Sequence, residues 1–385
     1  MRVALNLEQL LQPAPGGVGR YTATLATLLP TLRSSAGDPV TIVPFVARHD
    51  REAVRTALRS FALESLEPLV APLPRPVLYD AWHVLGRPSV ERLLPGARDA
   101  DVLHAPSLAV PPRRAIPLVV TAHDAAPLVH PETFPRRGRW FHRRGLAAAA
   151  RRADVVITVS NAAADELVEH ARIPRERIRV VPNGVDLDAA SDDDVARVRA
   201  QVGLDDSPYV FWVGSFEPRK NLGLLASAFA RFVEKSSLPH RLVLAGPPGW
   251  VENEHETLAP LASLGSRVHL VGRVDDTVLR ALFRGADLFV FPSRHEGFGL
   301  PVLEAMAQGT PVLCADIPAL REVAADSARR LPLGDVDAWA SSIEELVTDA
   351  AERARLQTAG LVRAREFSWE RCVTATIAVY DEVLA

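Results

Sequence analysis

Two glutamates, Glu296 and Glu304, flank a glycine-rich turn in FPSRHEGFGLPVLEAMAQGTPVL, residues 291–313. An apolar strand beginning at Asp287 ends at Val290-Phe291, where Pro292 and Ser293 stop it. Gly297 and Gly299 are then expected to supply backbone angles that a Cβ forbids. Pro301 suits the first turn of a helix, where a missing N–H is tolerated, and Leu303, Met306 and Ala307 form an apolar stripe that Gly309 ends. The N–H groups and positive dipole end of such a helix favour a diphosphate. Glu296, on the turn, is placed for sugar hydroxyls, and Glu304, one turn into the helix, for a ribose. Glutamates at this spacing alone would read as solvated surface charges. The glycines, the proline and the buried strand before them shift the reading to a nucleotide-sugar site.

A second segment, VGSFEPRKNLGLL, also runs strand, turn, helix, with Arg219 and Lys220 just ahead of a helix expected to begin near Asn221. Two cations there would neutralise a diphosphate leaving group, arginine by its fork and lysine as a point charge. Surface Arg-Lys pairs are common, but Lys220 is one of only two lysines among 44 basic residues. In PAPGGVGRY, residues 13–21, a glycine loop precedes a helix. It is no dinucleotide fingerprint, because Thr22 stands where the third glycine would fall, and a plain flexible loop explains it equally well. His123 and Asp124 follow a strand ending near Ala122, at a carboxyl-terminal sheet edge; successive side chains there point apart, so the two form no dyad by adjacency. His104, in DVLHAPS, is a weaker candidate by the same strand-end logic.

These segments need rigid elements to hold them. Short runs rich in β-branched residues at 3–7, 40–46, 101–105, 117–123, 154–160 and 178–182 alternate with helical stretches, and the pattern recurs at 209–214, 241–246, 268–272, 287–292 and 310–315. Near-continuous apolar strands between helices imply parallel sheets covered on both faces. The fold class expected is α/β, two doubly wound Rossmann-like domains facing across a cleft, with ligands at the carboxyl ends of the strands. The polar, acidic stretch from Asn183 to Pro208 is the best boundary. The expected division is 1–190, 203–365, and a last helix, 366–385. Ser191 and the aspartates at 192–194 within that boundary read as a helix cap and not as a metal-binding D-x-D, so no metal is expected.

The 385 residues carry a net charge of -3 and 48% hydrophobic residues, which gives no support to wholesale nucleic-acid binding. Two cysteines, Cys314 and Cys372, are too few for a disulfide framework and fit a reducing cytoplasm. The N-terminal apolar run is broken by Asn6, Glu8 and Gln9 and reads as a strand, not a signal peptide; no run approaches the roughly 20 residues of a membrane span. The basic stretch 135–152, with Trp140 and Phe141 embedded, is a candidate for peripheral contact with the inner face of a membrane, although the general arginine bias favours a solvated helix.

The string E-G-F-G-L-P-V-L-E resembles the signature of retaining glycosyltransferases of family 4, which have the GT-B fold. G-G-V-G-R-Y, H-D followed by P-x-x-F-P, and E-P-R-K-N are similar to further segments of that family, the latter two to its mannosyltransferase-like branch. The resemblance spans residues 13 to about 370. It implies a first domain for the acceptor, a second for the nucleotide sugar, and a terminal helix that crosses back to the first. It implies catalytic roles for His123, Arg219, Lys220 and Glu296, and donor binding by Gly17, Gly214, Val274, Gly297, Phe298, Gly299, Leu300 and Glu304. Arg20, Tyr21, His104 and Asp124 are acceptor-side candidates. The chain departs from the family in LAGPPGW, where Pro247 and Pro248 replace an expected basic residue. The donor implied is GDP-mannose, with UDP- and dTDP-sugars open; the acceptor is a glycan, glycolipid or small molecule, and no cofactor is implied. The competing classes are a Rossmann oxidoreductase, disfavoured by the failed fingerprint, and a catalytically silent nucleotide-sugar-binding protein.

Overall fold

A computed structural model describes residues 1–204, 206–249 and 257–385, which fall into two compact units, 1–184 with 369–385, and 185–368. Each is built on one parallel sheet. In the first unit the strands are β1 (Arg2–Asn6), β2 (Thr41–Arg48), β3 (Leu69–Pro74), β4 (Val102–Ala105), β5 (Leu118–Thr121), β6 (Val155–Thr158) and β7 (Ile178–Val180), in the order β3-β2-β1-β4-β5-β6-β7. The second unit has β8 (Tyr209–Val213), β9 (Arg241–Ala245), β10 (Val268–Gly272), β11 (Leu288–Phe291), β12 (Val312–Ala315) and β13 (Arg329–Leu331), in the order β10-β9-β8-β11-β12-β13. Inner strands such as β4, β5, β6, β11 and β12 are buried along their whole length, which is why they read as unbroken apolar runs.

In both sheets the winding reverses beside the first strand of the unit, between β1 and β4 and between β8 and β11. Loops leaving two such strands diverge to opposite faces and open a crevice at their carboxyl ends. The PAPGGVGRY loop follows β1; the EPRKN and EGFG turns follow β8 and β11. The segments singled out by chemistry thus stand at the two positions where a doubly wound sheet accepts ligands.

The chain passes between units at Gly184/Val185 and Ser368/Trp369. The acidic stretch read as a linker belongs to the second unit. Ser191 caps the helix Asp192–Gln201 in a reciprocal box with Asp194, as its sequence suggested. Gln308 fastens the segment ahead of it, accepting from the Ala190 N–H at 2.9 Å and donating to the Asp188 carbonyl at 3.0 Å.

The helix Trp369–Leu384 packs into the first unit through a chain of buried hydrogen bonds. Tyr380 Oη meets His104 Nδ1 at 2.6 Å, His104 Nε2 meets Thr121 Oγ1 at 2.8 Å, and Thr121 Oγ1 meets Tyr21 Oη at 3.0 Å. His104, Tyr21 and Tyr380 are wholly buried. This corrects two expectations: His104 and Tyr21 do not face an acceptor, because their polar atoms are consumed inside the core.

Burial holds the His104 imidazole down, from its ordinary 6.5 to about 3. Below pH 6.5 the unfolded chain therefore takes up a proton that the folded chain refuses, and stability falls with pH through that window until about 3. Urea melts across this range should show the loss, and His104→Gln should flatten it. At pH 7, Tyr380→Phe should cost about 1–3 kcal/mol by leaving the His104 Nδ1 without its partner. An unmoved midpoint in that variant would reject the buried network.

Candidate active site

Strand β8 ends at Val213, and the 3₁₀ turn Pro218–Lys220 leads into the helix Leu222–Lys235. Across the crevice, β11 ends at Phe291 and its loop carries Glu296. The two loops meet through one carboxylate. Lys220 Nζ lies 2.7 Å from Glu296 Oε1 and Arg219 Nη1 lies 3.1 Å from Glu296 Oε2. Arg219 also reaches Glu217 Oε2 at 3.3 Å and donates to the His295 carbonyl at 2.8 Å. The Arg294 N–H donates to the Arg219 carbonyl at 2.8 Å, and Arg294 Nε donates to Asn221 Oδ1 at 3.2 Å. Lys220 Nζ sits 5.0 Å from the centre of the Phe291 ring.

Side-chain exposure in this cluster is 16% for Arg219, 11% for Lys220 and Glu217, and 9% for Glu296, so the charges interact with little screening. Burial alone would raise the Glu296 pKa, but Lys220 and Arg219 outweigh it and hold the carboxyl at about 2. Burial pulls the Lys220 ammonium down, and Glu296 opposes that pull. The arrangement differs from the sequence expectation in one respect. Glu296 was read as placed for sugar hydroxyls with no partner assigned; the structure makes it the common partner of both cations. Glu217, Asn221 and Arg294 were not singled out from the sequence, and the E-P-R-K-N string held the signal for the first two.

The turn after Glu296 places its left-handed backbone at Gly299, φ 109°, where a Cβ would also lie 2.5 Å from Leu320 Cδ2. The helix Leu300–Ala307 follows, with Pro301 in its first turn and Gly309 left-handed just past its end. Leu300 opens this helix and Glu304, half-buried, lies one turn along it. The Phe298 ring is packed edge-on against Phe367, centroids 5.8 Å apart, so only its backbone is left to offer a ligand.

Two more strand ends, those of β9 and β10, crowd the same edge. Gly214, after β8, donates to the Ala245 carbonyl at 3.0 Å, and a Cβ on Gly246 would fall 1.9 Å from the Gly214 oxygen. A Cβ on Gly249 would fall 2.1 Å from the Phe216 oxygen. The departure at Pro247 and Pro248 thus lies between two glycines required for backbone-on-backbone contact; Trp250 of the same string lies outside the described residues. Val274 is half-buried in the loop after β10, between Gly272, whose carbonyl accepts from Gly246 at 2.8 Å, and Asp275, which caps the helix Asp276–Arg284.

In the first unit the helix Gly16–Leu28 opens at the glycine loop, with Gly16 left-handed at φ 59° and Gly17 exposed in the first turn. Gly19, not Gly17, is the glycine demanded by packing: its Cβ would lie 2.2 Å from Pro15 Cβ. Arg20 is half-buried on this helix. His123 Nε2 donates to the Pro106 carbonyl at 3.1 Å, which fixes the hydrogen on that nitrogen, and burial lowers its pKa. The neutral ring then offers Nδ1 as an acceptor. Asp124 Oδ1 accepts from the Ala126 N–H at 3.0 Å, at the start of the short helix Ala126–Val129.

Comparison with known proteins agrees with this geometry. The model of Glycosyltransferase Family 4 matches residues 15–189, and that of Glycosyl transferases group 1 matches residues 194–362. The chain is 31% identical to the O-antigen chain mannosyltransferase B of Escherichia coli over 80% of each chain. It is 30% identical to the MMP alpha-(1->4)-mannosyltransferase of Mycolicibacterium hassiacum over 76% of this chain and 74% of that one. The crystal structure of HepE from Anabaena, in complex with UDP and glucose, superposes with a TM-score of 0.74 at 20% identity, covering 99% of both chains. A doubly wound sheet in each unit, paired cations where the second sheet's winding reverses, and matches spanning both units lead to one assignment: the chain belongs to glycosyltransferase family 4 and has the GT-B fold.

Proposed function

We propose that the chain is a retaining, metal-independent hexosyltransferase that takes mannose from GDP-mannose and passes it to a hydroxyl of a glycan, glycolipid or small-molecule acceptor. The observation that carries this reading is the pair Arg219 and Lys220, half-buried at the joined ends of β8 and β11 and oriented there by Glu217 and Glu296. Mannose is supported by the named mannosyltransferases among the relatives. The two free, buried cysteines fit a reducing cytoplasm, and no helix among the described residues is long and apolar enough to cross a membrane.

In this reading the diphosphate lies against Arg219, Lys220 and the first turn of the helix Leu300–Ala307, with Glu304 accepting from the ribose and the backbone near Val274 beside the base. The bond from the anomeric carbon to the diphosphate breaks while the acceptor oxygen bonds that carbon on the same face. The acceptor's proton goes to the departing phosphate oxygen. Negative charge accumulates on the diphosphate during this step, where two preoriented cations in a poorly hydrated crevice stabilise it most. Glu296 then turns from its cations toward the sugar, where its ionised carboxylate accepts hydroxyl hydrogens. Gly17 and His123 Nδ1, at the carboxyl edge of the first sheet, are the candidates for recognising the acceptor or the sugar.

Nucleotide release measured with GDP-, UDP- and dTDP-sugars tests the assignment directly; no release with any of them would leave only the silent binding protein. Lys220→Gln, which keeps a hydrogen bond to Glu296 but removes the charge, should lower turnover about 10²- to 10³-fold in a folded protein. Activity should persist in excess EDTA, and loss of activity restored by manganese would reject the metal-free mechanism. Calorimetry with the bare nucleoside diphosphate should separate the glutamates. Glu304→Gln weakens binding by about 1–3 kcal/mol. Glu296→Gln binds at least as tightly as the unmodified protein, because two cations lose their carboxylate, yet it turns over the complete donor slowly. Weakened nucleotide binding in Glu296→Gln would overturn the division of roles.

A further inference from the structure

Although the whole chain carries a net charge of -3, its segment 136–152 holds seven arginines and no acidic residue. The segment is one helix, Arg136–Arg152, whose Gly145, Leu146, Ala148 and Ala149 are buried in the first unit. The opposite face presents Arg136, Arg137, Trp140, Arg143, Arg144 and Arg151 to solvent, a single stripe at helical spacing. Trp140 is 37% exposed and the Arg144 guanidinium lies 5.6 Å from its ring centre.

A second element extends this surface with aliphatic side chains. After β3 the chain forms the helix Arg75–Asp80 and a wider turn, Ala81–Leu85, in which Val77, Val84 and Leu85 are 51%, 53% and 61% exposed. Phe141 ties the two elements together, stacking 5.8 Å from Tyr79 and lying 4.9 Å from His83. Arg152 Nη1 donates to the Trp82 carbonyl at 2.9 Å. Asp80 and Glu132 are exposed carboxylates on the flanking elements, far outnumbered by the arginines. Both elements start from the carboxyl ends of their strands, the edge that also carries Gly17 and His123.

We propose that this face, the arginine stripe with Trp140 and the neighbouring Val84 and Leu85, docks on an anionic lipid bilayer. Guanidinium groups seek lipid phosphates, an indole settles at the headgroup level, and exposed aliphatic tips gain by entering the acyl boundary. The aliphatic tips argue against a nucleic acid as occupant, since a phosphate backbone has no use for them. The proposal goes beyond the glycosyl-transfer reading and does not depend on which donor is used.

The test is flotation of the full chain with vesicles of neutral phosphatidylcholine, and with vesicles containing about 30% phosphatidylglycerol. Binding is expected only to the anionic vesicles, with a fall of about tenfold or more between roughly 0.1 M and 0.5 M salt. Arg143→Glu with Arg144→Glu should abolish flotation, and Val84→Ser with Leu85→Ser should weaken it, while nucleotide release in solution stays unchanged in both. Undiminished flotation of the charge-reversed variant, equal binding to neutral vesicles, or tighter binding to single-stranded RNA than to anionic vesicles would each overturn the proposal. Vesicle binding without glycosyl transfer would count against the enzymatic reading alone, so the two fail separately.

Discussion

A carboxylate held between two cations in a nearly dry crevice fixes the geometry of the second unit's ligand edge. Taking Glu296, Arg219 and Lys220 out of water is costly, and the cost is met only while each charge keeps its partner. Removing one partner of a buried ion pair typically costs about 3–5 kcal/mol, because the survivor stays desolvated. That asymmetry locks the loops after β8 and β11 into one registration, which the backbone bond from Arg294 to Arg219 and the side-chain bond to Asn221 then reinforce. The same balance sets the condition for binding. Under the proposed function, a diphosphate approaching the cations would replace Glu296 with a second anion of greater charge.

The first unit stabilises its edge by different means. The chain from Tyr21 through Thr121 and His104 to Tyr380 consists of neutral groups, each satisfied inside the core, and burial keeps the imidazole uncharged. His123 is likewise neutral and fixed by a carbonyl. This network is thus uncharged, although the same unit holds the buried Glu8 carboxylate just after β1, 2.6 Å from His49.

Much of this was legible in the chain because parallel strands buried on both faces leave long apolar runs, and because proline and glycine mark the turns that follow them. The strands that escaped notice were β3 and β13, the edge strands of their sheets; LVAPLP contains two prolines and RRL two arginines, compositions an edge tolerates and an interior strand does not. The cations were visible, but their pairing with Glu296 was not, since partners 76 residues apart are joined only by topology. His104 and Tyr21 misled for the opposite reason. Strand-end position places His104 near an edge without saying which way its side chain turns, and the likeness of the glycine loop did not say it for Tyr21; both turn inward, Tyr21 to Thr121 and His104 to Tyr380 of the last helix.

That distant helix has a consequence for synthesis. Residues 185–368 form one uninterrupted unit and can complete their sheet as soon as they leave the ribosome. The first unit, although begun earlier, lacks Tyr380 and the rest of Trp369–Leu384 until after the second has been made. In the interval, His104 and the parts of β6 and of the helix Gly16–Leu28 that the last helix packs against wait without their cover, a surface open to wrong partners. The order of translation is therefore the reverse of the order of completion, and the nascent N-terminal half is the part of this molecule for which a holding chaperone would matter.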